Sequence, residues 1–442
     1  MIPSRRVYWL LLLGTAIALG IATVGSNLIN PRFIGFSIWL ALGFDVVVLG
    51  LMVLDGLTGR ANRVTVTRDR LERLSIGREN PVRLTVRSGK QPAILQIRDY
   101  APQSFSTSEG ILYLNLPAEQ TQELTYTAFP SKRGEYEWGD IQVRQLGRWG
   151  LAWHDWKILQ SQTIAVYPDL IGLRSLSIRL TLQTTGNIRQ ARRHGMGTEF
   201  SELREYVSGD DPRLIDWKAT ARRSRMVVRV LEPEQEQTLI VLLDRGRLMT
   251  AQVKGLARFD WGLNATLSLA VAGLQRGDRV GVGVFDRQIH TWIPPERGQT
   301  QLPKILERLS PIQPELLEPD YLGTVSAIAT RQTRRALVVL ITDVIDEIAS
   351  AELLATMTRL APRHLPFCVT LRDPQVDVKA HRITTTVPDA YARAVALDLL
   401  AQRQLALAKL KQKGVLILDA PADRLSEELV DRYLQLKARN QL

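Results

Sequence analysis

The amino end of the chain carries two long apolar stretches. Residues 7–25 contain no charged side chain, and a second apolar run over residues 34–54 is interrupted only by Asp45. About 20 such residues are needed to cross the hydrocarbon core of a bilayer. A signal peptide has one shorter apolar core before a cleavage site, and it is not followed by a second run of this length. We therefore predict a two-helix transmembrane anchor over residues 1–62.

Charges around the two runs predict their orientation. Arg5 and Arg6 precede the first run, four arginines lie between residues 60 and 70, and the connecting turn carries only Arg32. Because positively charged flanks tend to stay in the cytoplasm, both ends of the anchor should face inward. The expected location is the inner (plasma) membrane, with two spans and cytoplasmic soluble domains. A single cysteine, Cys368, excludes an internal disulfide and agrees with a reducing compartment.

Asp45 lies inside the second predicted span. Insertion scales give a cost of about 2.5–3.5 kcal/mol for an aspartate at the centre of a membrane helix. Either it contacts another helix or a partner, or it is an interior carboxyl hydrogen-bonded within the hairpin. We favour the second interpretation.

Residues 63–170 change to short runs in which apolar and polar positions alternate. Seven such runs, at 63–68, 82–87, 93–99, 111–116, 123–129, 140–146 and 163–168, are separated by turn-forming sequences. This period of two predicts strands, and their number and spacing predict an antiparallel β-sandwich. Four tryptophans could form an aromatic ligand surface, but a structural role in the sandwich is favoured; they are Trp138, Trp149, Trp153 and Trp156.

Residues 171–234 form a basic segment. Between Ile171 and Val230 there are twelve basic and six acidic residues, half of the net charge of +12 of the whole chain. Opposite charges mixed this densely predict a specific ion-pair network, because arginine can bind carboxylates through two hydrogen bonds. We assign to this network Gly195, Gly197, Glu199, Phe200, Arg204, Glu205, Tyr206, Gly209, Asp210, Asp211, Arg213, Asp216, Trp217 and Arg222.

The network has three possible uses. It can clamp the segment to the next domain, form a ligand site, or bind nucleic acid. The clamp is favoured over the ligand site, and we expect no nucleic-acid partner because the interleaved carboxylates would compete with phosphates.

From residue 235 to 442, continuous apolar strands alternate with amphipathic helical stretches. This alternation predicts an α/β domain with a doubly wound, mostly parallel sheet covered on both faces. Asp244 and Asp343 each end a predicted strand. The carboxyl ends of parallel strands lie at one edge of a sheet, where ligands bind. Two carboxylates there could hold a hard divalent cation.

Two resemblances follow from these residues. Asp244, Phe285 and the sequence Ile341-Thr342-Asp343 resemble a von Willebrand factor A domain. The motifs between Gly195 and Lys218, with the two spans ahead of them, resemble the bacterial family called domain of unknown function 58. Members of that family resemble components of systems that contain a MoxR-class AAA+ ATPase. The resemblance implies an adaptor whose partner is such an ATPase.

The A-domain resemblance also implies a metal-ion-dependent adhesion site, with the pattern Asp-x-Ser-x-Ser and ligands from later loops. Here the pattern is Asp244-Arg-Gly-Arg-Leu248, which lacks both serines. The implied oxygen ligands are Asp244, Asp320 and Asp343, a degenerate site for Mg²⁺. Arg245 and Arg247 could instead satisfy those carboxylates directly, so we expect no cofactor, with Mg²⁺ as the alternative.

No nucleophile–base pair stands out in the sequence. Five histidines are scattered, and Cys368 lies in an apolar strand. We therefore predict a non-enzymatic, membrane-anchored scaffold that contacts membrane lipid and a protein partner. The alternative is a metal-dependent hydrolase or phosphoryl-transfer enzyme using Asp244 and Asp343.

Overall fold

The structure is a computed structural model. It describes residues 1–28, 32–71, 73–191, 199–232, 237–345, 350–383 and 386–439, and it divides the chain into two compact units, Met1–Tyr167 and Pro168–Leu442. The predicted anchor and β region share the first unit. The predicted basic segment shares the second unit with the α/β region.

The first unit begins with two helices that are long and apolar enough to span a membrane, α1 (Arg5–Leu28) and α2 (Arg32–Ala61). They pack against each other, with Phe44 of α2 lying on Gly14 of α1. Most of their large apolar side chains are exposed in the isolated chain, as membrane helices require. In the described part of the hairpin, the buried Asp45 Oδ1 has no hydrogen-bond partner, so the favoured intra-hairpin hydrogen bond is not observed for that atom.

Twelve strands complete the described part of the first unit. They are β1 (Ile2–Pro3), β2 (Thr65–Arg68), β3 (Arg73–Ser75), β4 (Asn80–Arg87), β5 (Ala93–Asp99), β6 (Phe105–Thr107), β7 (Leu112–Leu116), β8 (Thr121–Pro130), β9 (Gly134–Trp138), β10 (Ile141–Leu146), β11 (Ala152–Ile158) and β12 (Gln162–Tyr167). They form sheets in the orders β2-β4-β8-β6, β1-β11-β10-β5-β7 and β3-β12-β9. All neighbours are antiparallel except β3 and β12.

All seven predicted runs contain a strand, and five further strands were not predicted. The stretch 131–139 was expected to be a turn, but β9 lies within it and pairs with β12. The sequence of β11, Ala-Trp-His-Asp-Trp-Lys-Ile, does not alternate cleanly between apolar and polar residues, and so it gives no period-two signal. Of the four tryptophans, Trp138 is fully buried whereas Trp149 is about half exposed.

A buried carboxylate joins α2 to the sheet that contains β11. Asp55 is completely buried and accepts hydrogen bonds from the backbone N–H groups of Trp149 (2.8 Å), Leu151 (2.8 Å) and Ala152 (3.2 Å). Pairing of β1 with β11 adds a second connection beside it. Three donors compensate the cost of burying the carboxylate, so the apolar hairpin is firmly attached to the β region.

The second unit contains nine helices and ten strands in its described parts. The helices are α3 (Leu170–Ala191), α4 (Trp217–Arg223), α5 (Arg258–Gln275), α6 (Gln301–Leu309), α7 (Tyr321–Arg331), α8 (Ala351–Leu360), α9 (Pro374–His381), α10 (Val387–Gln412) and α11 (Leu425–Ala438). The strands are β13 (Glu199–Glu205), β14 (Val227–Glu232), β15 (Thr238–Asp244), β16 (Gln252–Val253), β17 (Leu256–Ala257), β18 (Arg279–Phe285), β19 (Ile289–Glu296), β20 (Leu337–Thr342), β21 (Leu365–Arg372) and β22 (Leu416–Pro421).

Six of these strands form one sheet in the order β19-β18-β15-β20-β21-β22. Only the edge strand β19 is antiparallel to its neighbour. Apolar residues of α3, α5, α6 and α11 cover one face, and those of α7, α8 and α10 cover the other. The predicted parallel-rich sheet covered on both faces is confirmed.

Helix α3 lies within the predicted basic segment and was not predicted. Leu176 and Leu180 of this helix are buried in the core of the α/β unit, beside α5. Arg174 and Arg179 lie between the apolar positions of the same stretch. Because charged and apolar side chains alternate so closely there, the short apolar face of α3 gives only a weak helical pattern in the sequence.

Candidate functional site at the carboxyl edge of the six-stranded sheet

Asp244 is the last residue of the central strand β15 and is fully buried. Its carboxylate accepts hydrogen bonds from the backbone N–H of Gly246 (2.7 Å) and the hydroxyl groups of Thr342 (2.7 Å) and Tyr321 (3.1 Å). Burial raises the pKa of Asp244 above its ordinary value, although these hydrogen bonds oppose the rise. The side chain is thus held by three donors of the protein itself.

Asp343 follows the neighbouring strand β20 and is also buried. One oxygen pairs with the guanidinium of Arg258, the first residue of α5, and the other lies 2.7 Å from Nη1 of Arg403. The backbone N–H of Val344 donates to it at 2.9 Å. Two guanidinium groups therefore occupy the positions around this carboxylate from which a cation would be bound.

Arg403, on α10, connects the ends of three strands. Besides Asp343 it contacts Asp419 of β22 at 2.8 Å, and its Nη2 donates to the carbonyl oxygen of Leu371 in β21 at 3.0 Å. Asp419 also accepts from the hydroxyl of Thr370 at 2.9 Å. This arrangement makes Arg403 the central cation of the carboxyl edge between β20 and β22.

Asp320 takes a different role from the other two carboxylates. It is exposed and caps the amino end of α7, accepting a hydrogen bond from the backbone N–H of Gly323 at 2.7 Å. Across the described parts of the chain, no group of three His, Cys, Asp or Glu side chains is arranged to hold a metal ion. The structure therefore engages Asp244, Asp320 and Asp343 in separate hydrogen-bond arrangements.

Arg245 and Arg247 do not satisfy the strand-end carboxylates, contrary to expectation. Arg245 pairs with Asp286 (2.6 Å) and Glu315 (2.9 Å), and Arg247 pairs with Glu318 (2.8 Å). Successive side chains of an extended chain point in opposite directions, so the neighbour of Asp244 is directed away from it. The arginines that do bind Asp343 come from α5 and α10.

A cavity of about 210 Å³ opens beside Asp343, between the ends of β20 and β21 and the helices α9 and α10. Its aliphatic lining comes from Val344, Ile345, Leu371, Val376, Leu399 and Leu400, and its polar lining includes Arg258, Arg372 and Arg403. From Leu399 a row of exposed apolar residues continues along α10 at intervals of four, through Val395, Tyr391 and Val387. Residues four apart lie on neighbouring turns of a helix, so this row forms an apolar strip that leads into the cavity.

The predicted network in the basic segment forms a compact antiparallel hairpin. We use the name signature hairpin for residues 199–232, which comprise β13, a 3₁₀ turn at Pro212–Leu214, α4 and β14. Gly195 and Gly197 lie outside the described residues. For Glu199 and Phe200 the structure gives the backbone, which belongs to β13.

The signature hairpin contains three ion pairs among its described side chains. Arg204 pairs with Asp210 (2.6 Å), whereas Asp216 pairs with Arg229 (2.8 Å), which is outside the predicted network. Glu205 pairs with Arg225 at 2.7 Å. These ion pairs stabilise the hairpin internally. The sequence favoured a clamp to the next domain, but none of the ion pairs described for residues 201–229 joins the hairpin to the α/β sheet.

Several other network residues have local structural roles. Asp211 caps the 3₁₀ turn through the N–H of Arg213 (2.9 Å), and Asp216 caps α4 through the N–H groups of Lys218 and Ala219 (3.0 Å each). The backbone N–H of Tyr206 donates to Met226 across the hairpin at 2.9 Å. Gly209 has a positive φ of 115°, which favours glycine. Trp217 and Arg222 are exposed.

Parts of the chain are similar to known proteins. The chain is 24% identical to the uncharacterized proteins Rv1480 of Mycobacterium tuberculosis and Mb1516 of Mycobacterium bovis over 183 residues, which is 41% of this chain. The match spans 57% of the length of these relatives.

Among solved structures, a CARDB domain from Pyrococcus furiosus matches 24% of this chain and 93% of its own, with 11% identity and a TM-score of 0.17. A non-cellulosomal cohesin from Archaeoglobus fulgidus matches 24% of this chain and 91% of its own, with 9% identity and a TM-score of 0.18. TM-scores this low do not establish a shared fold. Residues 202–379, which run from the signature hairpin to α9 and include both strand-end carboxylates, match the family described as protein of unknown function DUF58.

Proposed function

We propose that the chain is a non-enzymatic adaptor, anchored by α1 and α2 in the inner (plasma) membrane of a bacterium, with both soluble units in the cytoplasm. Its α/β unit, which we propose to be von Willebrand A-like, binds a protein partner at the carboxyl edge of the six-stranded sheet. The proposed partner is a MoxR-class AAA+ ATPase. The sheet order β19-β18-β15-β20-β21-β22, with one antiparallel edge strand, supports the A-like assignment.

The observation that carries this proposal is the engagement of both strand-end carboxylates by donors of the protein. Asp343 binds two guanidinium groups, and Asp244 binds two hydroxyl groups and a backbone N–H. A catalytic metal pair would have to displace Arg258 and Arg403 from a carboxylate that is only 3% exposed. A divalent cation would have to compete with both guanidinium groups for this carboxylate, so the hydrolase or phosphoryl-transfer alternative is disfavoured.

The cavity beside Asp343 and the apolar strip on α10 supply the binding surface. Exposed apolar surface that continues into a cavity is typical of protein interaction sites. A partner side chain can enter between Val376 and Leu399 while the partner backbone follows the strip. This mode of binding needs neither a metal ion nor a nucleophile.

The test is a binding measurement between the full-length protein in nanodiscs and the purified MoxR-class ATPase encoded in the same genome. Leu399 lines the cavity and is 42% exposed, and Leu405 on the same helix is 55% exposed but does not line the cavity. We expect wild-type protein to bind, Leu399→Glu to weaken binding at least tenfold, and Leu405→Glu to bind like wild type.

Absence of binding by the wild type would contradict the proposed partner. Equal effects of the two leucine substitutions would contradict the proposed surface. Hydrogen–deuterium exchange of each variant shows whether its α/β unit remains folded.

A further inference from the structure

The outer end of the signature hairpin presents three large apolar side chains to solvent. Val207 is 60% exposed, Trp217 69% and Met226 55%. They come from different parts of the hairpin but lie close along the backbone. The residue before Val207 is hydrogen-bonded to Met226, and the residue before Trp217 is hydrogen-bonded to Val227, each at 2.9 Å. Burying an exposed tryptophan of this kind contributes a large apolar area, so its exposure calls for an explanation.

Charges around this apolar group are unbalanced. Between residues 202 and 229 the hairpin contains seven cations and five carboxylates. Four of the carboxylates are used internally, by ion pairs or by helix caps. Four exposed cations have no carboxylate partner among the residues that the structure describes, and these are Arg213, Lys218, Arg222 and Arg223.

Hydrogen bonds and ion pairs within the hairpin also fix this surface in the absence of a partner. The N-cap at Asp216 and its ion pair with Arg229 hold the start of α4, where Trp217 lies. Bonding to Ala219 N–H and Arg229 keeps the pKa of Asp216 below its ordinary value, so the cap is charged at neutral pH. A preorganised surface loses little conformational entropy on binding.

We propose that this surface, formed by Val207, Trp217, Met226 and the four unpaired cations, is a docking site for an acidic surface of a protein partner. Tryptophan, methionine and arginine are among the residue types enriched in protein interfaces, and tryptophan and arginine are frequent among the residues that contribute most binding energy. The excess of unpaired cations requires carboxylates on the opposite side, and the apolar group requires a recess between them. This inference rests on the proposed function only in taking the partner to be a protein.

The experiment is hydroxyl-radical footprinting of the full-length protein, read out by mass spectrometry at Trp217 and Met226. Oxidation rates are compared in native membranes, in nanodiscs of zwitterionic lipid, and in nanodiscs containing phosphatidylglycerol. Tyr113 of the first unit is the matched reference, because it is an aromatic residue with 71% exposure. We expect Trp217 to be oxidised at least fivefold more slowly in native membranes than in either nanodisc, with no such difference at Tyr113.

Charge-reversal substitutions inside and outside the surface test whether its cations contribute to docking. Arg223 is in the last turn of α4, and Arg308 is an exposed arginine in the last turn of α6. Arg223→Glu combined with Arg222→Glu should abolish the protection of Trp217 in native membranes, whereas Arg308→Glu should preserve it. Exchange of the β13 and β14 amides checks that the doubly substituted hairpin is folded, and Arg223→Gln serves in its place if it is not.

The other outcomes overturn the proposal in distinct ways. Protection in phosphatidylglycerol nanodiscs would identify a membrane surface as the occupant, and protection removed by nuclease would identify nucleic acid. Equal oxidation in all three preparations, or protection that survives the Arg222 and Arg223 substitutions, would show that no acidic protein surface covers this site. None of these results depends on whether the ATPase binds at the cavity, so failure of the two proposals can be told apart.

Discussion

The ion-pair arrangement around Arg403 yields the most quantitative prediction. Arg403→Met keeps a long side chain in place but removes the cation that joins Asp343 to Asp419. The guanidinium contacts these carboxylates at 2.7 and 2.8 Å, and its side chain is only 11% exposed. The substitution leaves both carboxylates with fewer donors in a largely buried position.

The expected loss of stability depends on the hydrogen-bond donors that remain after the substitution. Breaking a buried ion pair by removing one partner costs about 3–5 kcal/mol. Asp343 keeps Arg258 and the N–H of Val344, and Asp419 keeps the hydroxyl of Thr370. These donors lower the expected loss to about 2–3 kcal/mol, which corresponds to roughly 30- to 150-fold in an equilibrium constant.

Hydrogen–deuterium exchange is the suitable assay, because the chain has two units and global unfolding is not a two-state process. Amides of β20, β21 and β22 should exchange faster in Arg403→Met by the factor given above, provided that exchange follows the opening equilibrium. Arg403→Lys should be intermediate, since an ammonium group cannot reproduce the fork of hydrogen bonds.

The control is Arg393→Met on the same helix. Arg393 is exposed and hydrogen-bonds to the backbone carbonyl of Ala380 at 3.1 Å. Its loss should cost about 1 kcal/mol or less. Equal acceleration of the strand amides by Arg393→Met and Arg403→Met would refute the central position given to Arg403.

Three further predictions concern other buried groups. Asp55→Ala should speed exchange of the amides at 149–152 by roughly 10- to 100-fold, because three N–H groups, two of them buried, lose their acceptor; unchanged exchange would disprove the connection. Burial, with repulsion from Arg363, lowers the pKa of His364 in the folded chain, whereas an unfolded histidine takes up its proton near pH 6.5. Thermal stability of the wild type should therefore fall from pH 7.5 to 5.5, and that of His364→Leu should fall less. Identical pH profiles of the two proteins would be inconsistent with a neutral buried imidazole ring. Burial raises the pKa of the Cys368 thiol to about 12, so iodoacetamide should label this single cysteine only after unfolding, and rapid labelling of the native protein would contradict its buried position.

The α/β sheet was predictable because its central strands are buried on both faces. Such strands are continuous apolar runs, as in β15, β18, β20 and β21. In the first unit, the strands in which apolar and polar residues clearly alternate were predicted from the sequence, whereas the shorter or mixed strands were not. Their positions depend on pairing with distant neighbours, as β9 depends on β12, and the local pattern contains no record of this.

The candidate site was predictable only in the placement of its carboxylates. Asp244 and Asp343 end predicted strands, so the sequence places them at one edge of the sheet. Arg258 and Arg403, the partners of Asp343, lie 85 and 60 residues from it along the chain, and a single sequence contains no signal that links them. Arg245 is adjacent to Asp244 in the sequence, yet it binds Asp286 and Glu315.

The choice between an adaptor and a metal-dependent enzyme turns on whether Asp244 and Asp343 bind a divalent cation. The most direct measurement is calorimetric titration of Mg²⁺ and Mn²⁺ into the full-length protein in nanodiscs, with Asp343→Asn as the comparison. We predict no saturable binding at millimolar metal, and identical traces for the two proteins, because Arg258 and Arg403 already bind Asp343. Saturable binding by the wild type that disappears in Asp343→Asn would show that Asp343 binds a metal ion and would favour the enzyme.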